Sequence, residues 1–123
     1  MKRFIVLVAA VAVFVALPHA AVAQDHADHN SPKAEFHLAK ALMVGTTKLE
    51  PGDYTFQCVF VDGSHFLVVT ANGKELARVP CKQEQLNSKI TTSDLRSLDR
   101  PDGATMTAIR IKGETIEHRL ILD

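Results

Sequence analysis

The chain has no tryptophan, one tyrosine and only two cysteines in 123 residues, and its formal charges cancel to zero. A nucleic-acid binder shows a basic stripe with aromatics interleaved; here the lysines and arginines are scattered, and a nucleic-acid partner is not expected. No C-x-x-C occurs and no His-Asp pair neighbours either cysteine, so nothing supports a redox or catalytic thiolate. After residue 17 no segment is apolar enough to cross a bilayer, and no repeat or low-complexity tract is visible. Carboxylates that come in pairs, such as Asp99 and Asp102 around Pro101, sit where solvated turn-formers are the default.

What is there begins with an export signal. Lys2 and Arg3 precede an apolar run over residues 4–17, and Ala21-Val22-Ala23 follows as a small-residue cleavage site. The run is shorter than the roughly 20 apolar residues a membrane anchor needs, so residues 1–23 read as a signal peptide removed before Gln24. No cysteine stands where a lipoprotein anchor would need one. The short apolar core after Lys-Arg suits a bacterial exporter, and the expected location is periplasmic or secreted, with no membrane span after cleavage. Removing the signal takes away Lys2 and Arg3 and no carboxylate, leaving a net charge of minus two.

Residues 24–33, QDHADHNSPK, are polar, carry Pro32 and have no strand or helix period, which predicts a mobile leader. The folded domain is expected over 34–123. Residues 35–43 read as a strand, with 46–49 extending it past Gly45, and Pro51-Gly52 as a turn. Over 54–61, Tyr54, Phe56, Cys58 and Phe60 share one face of a period-two strand. Asp62-Gly63 and Asn72-Gly73 then close tight hairpins into strands at 64–71 and 74–79, because both dipeptides accept the positive φ of type I′ turns. Residues 82–103 are the least regular; they predict a long connection with a short strand near 89–92 and one helical turn capped by Ser93 and Asp94. Strands at 105–111 and 115–122 complete about seven short strands, the pattern of a single antiparallel β-sandwich or small barrel. So short a domain buries only about 60 to 65 per cent of its unfolded surface, and a cross-link or partner would help it.

Cys58 and Cys81 in an exported protein invite a disulfide, worth about 3 kcal/mol for the loop it closes. If Asn72-Gly73 is a two-residue loop, strict alternation turns Cys81 to the opposite face from Cys58; a three-residue loop brings both to one face. A whole strand still lies between them, beyond the roughly 7 Å Cα separation a bridge tolerates. A bridge therefore requires the chain to leave the sheet at Pro80, which has no N–H for a ladder. Disulfide and two separately buried thiols both stay open.

Under cleavage after Ala23, Gln24-Asp25-His26 places a histidine third from a free amine. Amine, two amides and imidazole can then enclose Cu(II) or Ni(II) in a square plane, with His29 as a further ligand; cyclisation of Gln24 to pyroglutamate would abolish this. His118 alternates with Ile116, Leu120 and Leu122, the pattern of a satisfied core histidine. His65, Ser64 and Asp62 are neighbours in one tight hairpin and cannot adopt triad geometry, so hydrolysis is not expected. Tyr54, Phe56, Phe60 and Phe66 form an aromatic group that reads as core packing, or as a ligand-binding sheet face.

Residues 44–54 carry the block V-x-x-T-x-L-x-P-G-x-Y, here Val44, Thr47, Leu49, Pro51, Gly52 and Tyr54. With Gly73-Lys74 and Val79-Pro80-Cys81 the chain resembles a group of small secreted bacterial β-sandwich proteins. The resemblance implies an exported sandwich and carries no activity, cofactor or site. Leu49-x-Pro51-Gly52-x-Tyr54 alone is similar to the opening of carboxypeptidase regulatory-like and transthyretin-like modules, accessory domains that bind or support. The expected molecule is thus a non-enzymatic binding or structural module of the cell envelope, monomeric or weakly self-associating. It would meet an envelope protein or small ligand through an edge strand or exposed sheet face.

Overall fold

A computed structural model describes residues 29–122, which form nine strands and no helix. In chain order these are β1 (Ala34–Leu38), β2 (Leu42–Val44), β3 (Thr47–Leu49), β4 (Gly52–Val61), β5 (Ser64–Ala71), β6 (Lys74–Gln85), β7 (Asp94–Arg100), β8 (Gly103–Arg110) and β9 (Ile116–Leu120). The spatial order is β1-β4-β5-β6-β9-β8-β2-β3, with β7 also paired to β8. All pairings are antiparallel except the short β2–β8 contact at Leu42↔Ala104 and Met43↔Thr105. The expected all-β sandwich is what forms, and it does not close into a barrel. The expected signal peptide and the Gln24-Asp25-His26 segment lie outside the described residues.

The hairpins follow from turn chemistry. Asp62 and Gly63 adopt φ of 51° and 81°, and Asn72 and Gly73 of 53° and 76°, so each two-residue loop takes the positive φ pair whose twist matches its strands. Alternation then fills the core. Phe56 and Cys58 of β4, Leu67 and Val69 of β5, and Val79 of β6 meet Val44, Leu49, Met106, Ile109 and Ile111 in one buried cluster.

β6 is the hinge of the architecture. Its first half pairs with β5 as far as Phe66↔Pro80, and its second half pairs with β9 from Cys81↔Leu120 onward. The chain therefore departs from the first sheet at Pro80, the residue with no N–H to give that ladder. The Pro80 carbonyl already serves the second sheet, accepting from the Ile121 N–H at 2.9 Å.

Among the described residues the strands number nine where about seven were expected, because 82–85 continue β6 and 94–100 form β7 inside the expected long connection. Two further sequence expectations are corrected. Residues 35–43 are two strands, β1 on β4 and β2 on β8, because the chain crosses between sheets near Ala39-Lys40 so that Leu38 and Leu42 can both face the common core. No helical turn starts at Ser93-Asp94, and no strand occupies 89–92. Asp94 opens β7, Ser93 Oγ accepts the Lys112 N–H at 2.8 Å, and Ile90 docks on the turn at 111–115. Pairing with β8 offers that backbone a full ladder, which one capped turn could not. Ahead of β1, Ser31 is buried on β4: its N–H donates to the Cys58 carbonyl at 2.7 Å, and its Oγ accepts the Cys58 N–H at 2.9 Å.

Candidate functional site

Three strands from distant parts of the chain bring Cys58, Cys81 and His118 together. β4 alternation turns Cys58 inward; β6 turns Cys81 inward one residue past Pro80; β9 places His118 across from Gln83, diagonal to Cys81 on the same face. Both sulfurs and a ring nitrogen of His118 lie within 4.8 Å of one another. The group is sealed, with Cys58 and His118 at 1% exposure and Cys81 at 5%.

Glu114, in the turn before β9, completes the arrangement. His118 Nε2 donates to Glu114 Oε1 at 2.7 Å. The glutamate is itself positioned from below: the Ile90 N–H donates to the Glu114 carbonyl at 2.8 Å, and the Gly113 N–H donates to the Ile90 carbonyl at 2.9 Å. The irregular segment at 86–93 thus serves to hold this turn. The other nitrogen of His118, Nδ1, is buried and has no hydrogen-bond partner.

The two thiols polarise each other. The hydrogen bond between them holds Cys58 protonated and pushes its pKa up, with burial acting the same way. The same bond brings Cys81 down from 9.0 to about 5 against the opposing effect of burial, helped by His118 and, at longer range, by His65. Burial works against a charged His118, but the nearby Cys81 sulfur and the Glu114 carboxylate outweigh it and raise the ring from 6.5 to about 9. These directions favour a Cys81 thiolate beside a protonated His118, with Cys58 keeping its proton.

The residues singled out from the sequence fare differently. Cys58 and Cys81 are two free, buried thiols and not a disulfide, and they lie within 4.8 Å of each other. They meet because β6 carries an extra residue. The β5–β6 register shifts between Val69 and Thr70, so Leu76 is bulged out and the strict alternation from Asn72-Gly73 is reset by one. The signal was legible as a conflict, since Ala77, Val79 and Cys81 alternate as inward residues while the two-residue turn demands the opposite phase. His118 is the core residue its strand pattern predicts, yet only one of its nitrogens is satisfied. Its link to the cysteines was not read from the sequence, nor was Glu114. His65 is half-buried against Phe60, ring centroids 4.8 Å apart. His29 is exposed, and its expected companion His26 lies outside the described residues. Phe36 packs edge-on against Phe56 at 5.5 Å, so Phe56 of the aromatic group is core.

Chemically, a thiolate, an imidazole and an orienting carboxylate are the parts of a nucleophilic site, and two sulfurs with a nitrogen are also a donor set for a soft cation. No family model, curated protein or solved structure matches this chain.

Proposed function

We propose that the chain is an exported, non-enzymatic binding or structural module, and that its buried Cys58–Cys81–His118 group retains a small bound species and turns over no substrate. The observation that carries this reading is the burial of the group. A nucleophile must come within about 3–3.5 Å of the atom it attacks, and Cys81 lies under both sheets with 5% exposure while Cys58 and His118 have 1%. The strand order is consistent with partner binding elsewhere on the surface. β1, β3 and β7 each pair on one side among the described strands, and such edges recruit an extended segment of another chain. The export signal and the V-x-x-T-x-L-x-P-G-x-Y block point the same way.

The test is an activity screen on the mature protein taken from its secretory compartment, against ester, amide and thioester substrates, beside a Cys81→Ser variant. The expected result is no turnover that distinguishes the two, and an N-terminus at Gln24. Turnover by the folded protein that disappears in Cys81→Ser overturns the reading.

A further inference from the structure

We infer that Cys58 Sγ, Cys81 Sγ and His118 Nδ1 form a buried three-donor site for one thiophilic d10 cation, Cu(I) or Zn(II), with Glu114 holding the histidine from behind. The inference deepens the binding-module reading, on which it rests, by naming what the buried group retains.

Four observations converge. The donor atoms are already gathered, all within 4.8 Å of one another, before any ion draws them in; two thiolates on one tetrahedral ion stand about 3.8 Å apart for metal–sulfur bonds of ~2.3 Å. The donor set is sulfur and nitrogen, which selects soft or borderline ions over calcium and magnesium. His118 donates Nε2–H to a carboxylate at 2.7 Å, the outer contact that fixes tautomer and ring orientation in histidine-ligated metal sites. That contact leaves Nδ1 as the free nitrogen, and Nδ1 is a buried polar atom with no partner. A cation between Nδ1 and the sulfurs takes the place that a proton otherwise holds there.

The scaffold suits retention. The three donors sit on β4, β6 and β9, strands of both ladders, so loading ties the two sheets together across the core. Ligation sends the Cys58 thiol proton and the His118 Nδ1 proton to solvent, while His118 keeps its Nε2–H, hydrogen-bonded to Glu114. No oxidation state changes.

The experiment uses the full mature protein, reduced and stripped of metal, titrated with Zn(II) and, without oxygen, with Cu(I), each against a chromophoric chelator; Co(II) serves as a spectroscopic probe. The expected result is one equivalent of one of the two ions taken from its chelator, and a thiolate-to-cobalt charge-transfer band. Affinity should fall by at least about 100-fold in Cys58→Ser and by about 10- to 100-fold in Glu114→Gln, and stay unchanged in His26→Ala and His29→Ala. Preference between the ions separates a three-coordinate Cu(I) site from a Zn(II) site that recruits a fourth ligand. Wild-type protein gives a second readout that needs no variant, a melting temperature that rises with free ion by mass action. Retention of neither ion overturns the inference, as does binding that survives Cys58→Ser but is lost in His26→Ala, which would move the metal to the N-terminus. Failure here without turnover leaves the non-enzymatic reading standing; turnover lost in Cys81→Ser removes that reading whatever the metal does.

Discussion

Cys58 and Cys81 bring their sulfurs within 4.8 Å although β5 lies between their strands, because one residue, Leu76, stands outside the β5–β6 register. Deleting Leu76 should therefore turn Ala77, Val79 and Cys81 out of the core and leave no cooperative fold. Leu76→Ala keeps the residue count and removes a side chain that is 38% exposed, so it should change stability by only about 0.5 kcal/mol. Urea unfolding of the two variants checks the contrast; a cooperative transition in the deletion variant would mean that the bulge does not set the phase of Cys81.

The metal-free protein should have a stability plateau between about pH 6.5 and 9. Cys81 is depressed in the fold from 9.0 to about 5, so its stabilisation is full above 9 and is lost as pH falls to 5. His118 is raised from 6.5 to about 9, so its stabilisation is full below 6.5 and is lost as pH rises to 9. Between 6.5 and 9 the two slopes cancel. Below 6.5 the unfolded chain binds the extra proton and stability falls toward pH 5. Above 9 the raised Cys58 keeps its proton in the fold while the unfolded thiol ionises, and stability falls again. Denaturant midpoints across pH test this, and Cys81→Ser should flatten the acid limb.

Gly45 should tolerate no side chain. Its φ is +62°, and a Cβ there would stand 2.9 Å from Val79 Cγ2, a β-branched group held in the core. Gly45→Ala combines a left-handed backbone penalty of about 1–2 kcal/mol with overpacking of similar size, which amounts to roughly 10 °C or more in melting temperature for a domain this small. Gly63→Ala, at φ +81° with open space around it, should show the backbone penalty alone. Equal shifts in the two would remove the close approach as the cause.

On the outer face of β9, Glu117 is 1% exposed and sits 2.6 Å from Arg110, 3.0 Å from Arg119 and 3.7 Å from Arg96. Glu117→Gln should cost about 2–3 kcal/mol, because three guanidiniums lose the carboxylate they converge on; their own partial exposure keeps the loss below that of a fully buried pair. Glu84→Gln, which breaks an exposed pair with Arg119, should cost under about 1 kcal/mol. Comparable losses in the two would show that burial of Glu117 adds nothing.

Local chemistry was readable wherever it acts over a few residues. The Asp-Gly and Asn-Gly hairpins, the inward face of β4 and the apolar face that includes His118 all stand as their patterns predict. The second half of β6 and the strand at β7 were hidden, because their residues pair with β9 and β8 and carry polar side chains outward. Lys82, Glu84, Arg96 and Asp99 are all exposed, and such a segment has no apolar alternation to betray it.

By itself the sequence determined an all-β sandwich, the positions of its tight turns and the inward orientation of Cys58, because turn φ preferences and period-two burial are local. Only the tertiary structure decided that β6 changes sheets at Pro80, that Leu76 resets its phase, and that Glu114 aligns a histidine 37 positions beyond Cys81 onto the thiols. Those outcomes depend on which strands find each other across the core. Sheet exchange and a single bulge leave almost no mark on composition or periodicity, yet together they determine which side chains meet.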